Sequence, residues 1–145
     1  TGVAVISDQI DIANARLKFE SGCVANVTAS RISLKKMRKM RLFQRDTYIA
    51  LDFLEGKSEI FRLLEGDSPV PAGALPIPVN TGDGSSRKII RQAPAASPRE
   101  QLAAELETFR DAVTEGSAPP VTGQDGREAL RVSLEIINSI EKANL

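Results

Sequence analysis

The sequence contains no histidine, no tryptophan, one cysteine and one tyrosine among its 145 residues. Without histidine, the chain lacks the side chain that most often serves as a general base and most often binds metal ions. A Ser-His-Asp triad is therefore excluded for every serine, including Ser30. Cys23 has no partner for an internal disulfide, and its position in an apolar pattern predicts a small core side chain rather than a reactive thiol.

The sequence also lacks an excess of either charge, because 19 basic and 19 acidic residues cancel. No net field therefore attracts nucleic acid or an anionic membrane. No apolar run approaches the roughly 18 residues of a membrane span, and the N-terminus does not resemble a signal peptide. With 41% hydrophobic residues, we expect a soluble, cytoplasmic single domain over residues 1–145. The start at Thr1 suggests a piece of a longer polypeptide.

The clearest structural pattern is a β-hairpin within residues 11–33. Apolar and polar residues alternate before and after a turn at residues 20–22, which is the period of a strand with one buried face. The apolar positions are Ala13, Ala15, Leu17, Phe19, Cys23, Ala25, Val27 and Ala29. Because most of these side chains are small, we expect a layer of helices to pack closely on this face.

Further strands are predicted at residues 2–6, 40–44, 47–53, 57–64 and 87–92, which are rich in β-branched and apolar side chains. Residues 66–86 include four prolines and four glycines, so this segment is expected to be an irregular, flexible loop.

Two amphipathic helices are predicted in the C-terminal third. The first starts at a capping box over residues 97–100 and ends at Gly116, and Thr122 with Asp125 caps the second. Their apolar faces comprise Leu102, Leu106, Phe109 and Val113 in the first helix and Leu130, Leu134, Ile137 and either Ile140 or Glu141 in the second. This order predicts an α+β fold: a mostly antiparallel, open-faced β-sheet with two C-terminal helices packed on one face.

Few residues are candidates for chemistry. No Gly-x-Gly-x-x-Gly or Walker loop follows a strand, so the chain has no Rossmann cofactor site. The Gly-Asp-Gly-Ser-Ser segment at 82–86 is more typical of a flexible loop than of a phosphate loop. Acidic pairs such as Asp8 with Asp11 and Asp46 with Asp52 are explained by capping and solvation. The sequence therefore predicts no catalytic and no metal-binding residue.

The basic segment at 31–41 has two interpretations. Its cations are Arg31, Lys35, Lys36, Arg38, Lys39 and Arg41. They form either a solvated approach to a strand, balanced by Asp and Glu from the helices, or a patch that binds phosphate groups. The neutral net charge and the few aromatic rings argue against nucleic acid. Among the functional alternatives, a small phosphorylated ligand is therefore favoured.

Several stretches resemble a bacterial branch of the Gfo/Idh/MocA oxidoreductases. They are DIANARL from residue 11, GCVAN from 22, ASR from 29 and RKMRLFQ from 38, and PVTGQDGR from 120 is similar to the family's final segment. Residues 11–22 also match the strand and turn Asp-x-Ala-x-x-x-Leu-x-Phe-x-x-Gly of the family's C-terminal domain. The resemblance covers nearly the whole chain. It implies a C-terminal domain without the N-terminal Rossmann domain.

In that family the N-terminal domain binds NAD or NADP and usually supplies a catalytic lysine in a Glu-Lys-Pro motif. A helix that opens the C-terminal domain often supplies Asp-x-x-x-His, and this chain has neither motif. The resemblance therefore implies a chain that binds no cofactor and is inactive alone. It would shape a sugar or nucleotide-sugar pocket and form a homo-oligomer through a free sheet face.

The expected substrate-binding residues are Arg31, Lys35 and Lys36, because guanidinium and ammonium groups suit a phosphate or carboxylate. The alternative for these residues is a place in the interface between subunits. The branch includes enzymes for the 3-hydroxyl of a UDP-linked amino sugar, which suggests that substrate class. The alternative hypothesis is a free-standing binding or assembly module without redox activity.

Overall fold

The computed structural model describes residues 1–80, 82, 86–95 and 100–143. The residues form two compact units, one of Thr1–Lys35 with Gln101–Leu145 and the other of Lys36–Glu100. The fold has two antiparallel sheets and two C-terminal helices, which confirms the predicted α+β class. The assignment of residues 1–145 to a single domain stays a prediction.

The first unit contains a three-stranded sheet in the order β1-β2-β3. Its strands are β1 (Gly2–Val3), β2 (Ile12–Lys18) and β3 (Val24–Ser30). The last two form the predicted hairpin, in which Ile12 lies opposite Ser30 and Lys18 opposite Val24. Gly22 makes the turn at a φ of 85°, a left-handed conformation that a residue without a Cβ atom adopts without strain.

Fewer residues of the hairpin are half-buried than the alternation of apolar and polar residues predicts. Ala15 and Leu17 of β2 are half-buried, whereas Val27 and Ala29 of β3 are exposed. Cys23 is exposed as well, so the prediction of a core side chain there is wrong. It precedes β3, where the turn ends the alternation of faces on which that prediction depends.

Two helices complete the first unit, α1 (Gln101–Glu115) and α2 (Gly123–Ala143). The predicted cap of α2 is confirmed: Thr122 Oγ1 accepts the Asp125 N–H at 3.2 Å, and Asp125 Oδ2 accepts the Thr122 N–H at 2.8 Å. The cap predicted for α1 falls on residues 97–100, of which 97–99 lie outside the described residues. Within the described part, neither helix combines the length and apolar character required to cross a membrane.

α2 packs on the sheet beside β1. Ile140 is buried, and a Cβ atom added to Gly2 would come within 2.7 Å of its Cγ2 atom. The close approach of helix and strand therefore depends on a glycine at position 2.

The apolar face predicted for α1 is exposed to solvent in this structure. The side chains of Leu102, Leu106, Phe109 and Val113 are 58–65% exposed, and the residue of α1 that is buried is Ala112. The periodicity therefore predicts the helix correctly but not which of its residues are covered.

The second unit is a five-stranded antiparallel sheet in the order β4-β5-β6-β8-β7. Its strands are β4 (Lys39–Gln44), β5 (Thr47–Asp52), β6 (Lys57–Glu65), β7 (Leu75–Asn80) and β8 (Ser86–Gln92). All but β7 agree with the predicted strands within one residue at each end. Ile90 of β8 is 1% exposed and is the most buried large side chain.

β7 corrects the prediction of an irregular segment over residues 66–86, because it occupies Leu75–Asn80 of that segment. Its prolines, Pro76 and Pro78, are compatible with a strand at the edge of the sheet, where a missing N–H leaves no ladder hydrogen bond unmade. The flexibility of residues 66–86 stays a prediction.

Candidate functional site

A buried carboxylate organises the loop before β2. Asp11 is 2% exposed, and its Oδ2 atom accepts the backbone N–H groups of Val5 at 2.7 Å, Ile6 at 2.8 Å and Ser7 at 3.3 Å. These contacts explain why β1 ends at Val3 and not at residue 6 as predicted. The N–H groups of Val5 and Ile6 bind Asp11 and are not available to a neighbouring strand.

Arg31 binds the other oxygen of the same carboxylate. Its Nε atom donates to Asp11 Oδ1 at 2.5 Å, and its Nη2 atom donates to the hydroxyl group of Ser7. The Ser7 hydroxyl also donates to Asp11 Oδ1 at 3.3 Å. The backbones are joined as well, since the Arg31 N–H donates to the Asp11 carbonyl oxygen at 3.1 Å. Asp11, Ser7 and Arg31 therefore form one hydrogen-bonded cluster, the Asp11 cluster.

The electrostatics of the Asp11 cluster favour a permanently charged carboxylate. The N–H groups of Val5 and Ile6, together with Arg31, hold the pKa of Asp11 well below its ordinary value, although burial opposes this shift. Asp11 is thus ionised at neutral pH, where it accepts hydrogen bonds and has no proton to donate. This cluster is suited to hold an arginine and unsuited to general acid catalysis.

Part of Arg31 reaches the surface. Its side chain is 48% exposed, and Nε and Nη2 are the atoms bound within the Asp11 cluster. Nη1 makes no hydrogen bond to any residue that the structure describes. A planar guanidinium that is fixed on one edge presents its remaining donors in a defined direction, which suits an anionic oxygen.

The other two predicted substrate-binding residues, Lys35 and Lys36, are exposed on the segment that follows β3. Lys35 ends the first unit and Lys36 begins the second. The structure brings Arg31 together with Asp11 and Ser7, and the described contacts join neither lysine to that cluster. A substrate-binding role for all three residues stays a prediction.

The second unit has a polar cleft of about 570 Å³ on one face of its sheet. Stacked rings cross this face in register: the centroids of Phe43 and Tyr48 are 4.9 Å apart, and those of Tyr48 and Phe61 are 5.5 Å apart. Two residues along the strands from these rings, Ala50 of β5 lies between Arg41 of β4 and Glu59 of β6. Its side chain is small. Ala50 is one of the residues that line the cleft.

Most cations of this cleft are already paired. Lys39 binds Asp52 at 2.9 Å, and this contact is the main cause of a lowered pKa of the Asp52 carboxyl. Arg91 binds Glu59. Among the described residues Arg41 makes no ion pair. Of the basic segment at 31–41, Arg31 and Lys39 are therefore balanced by carboxylates, but these are Asp11 and Asp52 and not residues of the helices as the first interpretation expects.

The described residues contain no Rossmann crossover. Every strand pair in the described part is antiparallel, and the two helices follow the last strand. A Rossmann site needs a parallel strand–helix–strand unit with the pyrophosphate at the helix N-terminus. A metal site is not indicated either, since no three His, Cys, Asp or Glu residues of the described part are suitably grouped.

Asp11 is the residue whose importance sequence reasoning missed, since capping and solvation were its expected roles. It does cap backbone N–H groups, but it is buried rather than solvated. The hairpin register contains the missing signal, because Ile12 opposite Ser30 also places Asp11 beside Arg31.

No family model matches the sequence. Over 140 residues, 97% of the chain, it is 31% identical to the UDP-N-acetylglucosamine 3-dehydrogenase of Acidithiobacillus ferrooxidans. The match covers 40% of that protein, so the chain spans about two fifths of the length of its curated relative.

Two solved structures of the same enzyme, GnnA from A. ferrooxidans, are similar in fold. One has a TM-score of 0.72 at 29% identity and covers 94% of this chain and 37% of the solved chain. The other has a TM-score of 0.70 at 28% identity and covers 93% and 36%. The chain is thus similar, over nearly all its length, to part of a nucleotide-sugar dehydrogenase.

Proposed function

We propose that this chain is the C-terminal, substrate-side domain of an NAD(P)-dependent oxidoreductase of the Gfo/Idh/MocA type. Its substrate would be a nucleotide sugar, specifically a UDP-linked N-acetylamino sugar that is oxidised at the 3-hydroxyl. The observation that carries this proposal is the similarity to UDP-N-acetylglucosamine 3-dehydrogenase across 97% of the chain. Both compact units fall within that similarity.

In this proposal Arg31, Lys35 and Lys36 bind the substrate. A nucleotide sugar carries a diphosphate, which a fixed guanidinium recognises by hydrogen bonds and which ammonium groups attract by charge. The half-exposed Arg31 and the two exposed lysines follow one another along the end of β3 and the segment after it. Their exposure supports the proposal because a substrate can reach them.

The proposal assigns NAD or NADP binding to another part of the full-length protein. The antiparallel sheets support this division, because they offer no Rossmann crossover for the pyrophosphate. The chain alone is accordingly expected to be inactive. The exposed, unpaired thiol of Cys23 is compatible with a reducing compartment, and we place the enzyme in the cytoplasm.

A second part of the proposed role is assembly with another copy of the chain through the free face of the five-stranded sheet. We call the row of Phe43, Tyr48 and Phe61 the aromatic row. Phe43 is 76% exposed at its end, and large exposed rings are typical of protein interfaces.

The experiment that tests the proposed reaction uses the complete polypeptide that carries this chain. With UDP-N-acetylglucosamine and NAD⁺ or NADP⁺, we expect substrate-dependent formation of reduced nicotinamide. The 3-deoxy analogue is the matched control, and it should bind without being oxidised. Binding of the sugar nucleotide without any nicotinamide reduction would instead favour the alternative, a binding or assembly module without redox activity.

A further inference from the structure

Asp11 is held in place more firmly than a partner for a surface arginine requires. Three consecutive N–H groups, those of Val5, Ile6 and Ser7, bind one carboxylate oxygen. The Asp11 N–H in turn donates to the Val3 carbonyl oxygen at 2.9 Å. The carboxylate therefore cannot rotate without breaking several hydrogen bonds at once, and its second oxygen stays directed at Arg31.

The fixed carboxylate restricts Arg31 as well. Nε binds Asp11, Nη2 binds Ser7, and the Arg31 N–H binds the Asp11 carbonyl oxygen. A free arginine loses much side-chain entropy when it binds a ligand, whereas one that the protein has already ordered loses little. The cluster thus prepares Nη1 to meet an anion at a low entropic cost.

Electrostatic attraction for an anionic ligand does not explain why Arg31 is paired with Asp11. The ionised Asp11 neutralises Arg31, so the pair has no net attraction for a phosphate group. An arginine without this partner would attract anions more strongly. What Asp11 adds is therefore the orientation of Arg31.

We propose that Asp11 is a positioning residue for substrate binding, which fixes Arg31 so that Nη1 meets the diphosphate of the nucleotide sugar. This inference rests on the proposed function, because it assumes that Arg31 contacts the substrate. Ser7 is the second anchor, since it binds Nη2 without being part of the buried core.

The test is steady-state kinetics of the complete polypeptide with variants D11N, R31A and D11N/R31A, together with calorimetric titration with UDP as a probe. In D11N, KM for the nucleotide sugar and the Kd of UDP should rise about tenfold, which is the loss of affinity expected for one charge-assisted hydrogen bond. The kcat of this variant should stay within about twofold of the wild-type value, because the bond concerns binding. The double variant should equal R31A, because Asp11 acts through Arg31.

Two further variants separate positioning from folding. S7A removes one anchor and leaves the N–H groups on Asp11 intact, so it should fold and raise KM about threefold, less than D11N does. D125N is the matched control, because Asp125 also accepts a backbone N–H but caps α2; its KM should be unchanged. If D11N does not fold, S7A decides the outcome.

The outcomes are distinguishable. A KM that falls or stays constant in D11N and S7A, while R31A raises it, overturns positioning, because charge alone would then govern binding. If R31A leaves both KM and the Kd of UDP unchanged, the inference fails while turnover by the wild type still supports the proposed reaction. UDP binding that weakens in D11N, without nicotinamide reduction by the wild type, supports positioning and overturns the reaction.

Discussion

Asp11 and Arg31 lie across from each other at the open end of the β2–β3 hairpin, one residue beyond the pair of Ile12 and Ser30. The two residues are joined through Nε and Oδ1 at 2.5 Å and through their backbones at 3.1 Å. A slip of one residue in the register would turn the side chains to opposite faces and separate the two charges. The pair therefore helps to specify the hairpin that carries the candidate site.

The first prediction concerns acid stability. The folded state lowers the pKa of Asp11, so its stabilising contribution is fully present above the unfolded value, near pH ~4. The contribution is lost as the pH falls below that value towards the folded pKa. Urea unfolding should show a midpoint that falls from about pH 5 to about pH 3 in the wild type and falls less in D11N. Parallel curves for both proteins would contradict this account.

The second prediction concerns the start of α2, where Thr122 and Asp125 cap each other. T122A removes the side-chain acceptor for the Asp125 N–H and should lower the free energy of unfolding by about 1 kcal/mol. T108A is the control: Thr108 donates to carbonyl groups within α1, and its loss should change stability by less than about 0.5 kcal/mol. Equal effects of the two changes in urea unfolding would refute the cap.

The third prediction concerns the core of the second unit. Ile90 is 1% exposed, so I90A should leave a cavity and cost about 2–5 kcal/mol of unfolding free energy. Ile77, on the neighbouring strand β7 and 47% exposed, is the matched control. I77A should cost less than about 1 kcal/mol. A smaller loss for I90A than for I77A would mean that the core lies elsewhere in the sheet.

The fourth prediction concerns assembly through the aromatic row. Sedimentation should detect a homo-oligomer, and F43S should shift it towards the monomer, because the change removes a large exposed ring from the proposed interface. I6S is the control, since Ile6 is equally exposed, at 76%, but lies in the first unit. A strictly monomeric wild type at high concentration, or equal shifts for both variants, would remove this surface from the proposal.

The sequence predicts local structure well where one periodicity dominates. Alternation over residues 12–18 and the glycine at the turn are enough to predict the hairpin, and Thr122 is enough to place the start of α2. The same pattern fails at Cys23, because a turn interrupts the alternation of faces. The sequence pattern does not predict β7, because prolines disfavour strands in general, although an edge strand accepts them.

The burial of a side chain and the residues that it binds are harder to predict than local structure, because both depend on residues that are distant in the sequence. The periodicity of α1 shows that Leu102 and Leu106 share a face, but it contains no information about what covers that face. Arg31 stands out in the sequence as a cation at the end of the hairpin, whereas its bond to Asp11 depends on the register of two strands. Combining the hairpin register with opposite charges would have revealed this pair from sequence alone.

The measurement that tests the central claim most directly is photoaffinity labelling of the complete polypeptide with a diazirine analogue of UDP-N-acetylglucosamine. Digestion after glutamate gives one peptide of residues 21–55, which contains Arg31, Lys35 and Lys36. We expect this peptide to be labelled and the label to be displaced by unmodified UDP-N-acetylglucosamine. Displaceable label confined to residues outside 1–145 would contradict the claim that this chain is the substrate-side domain.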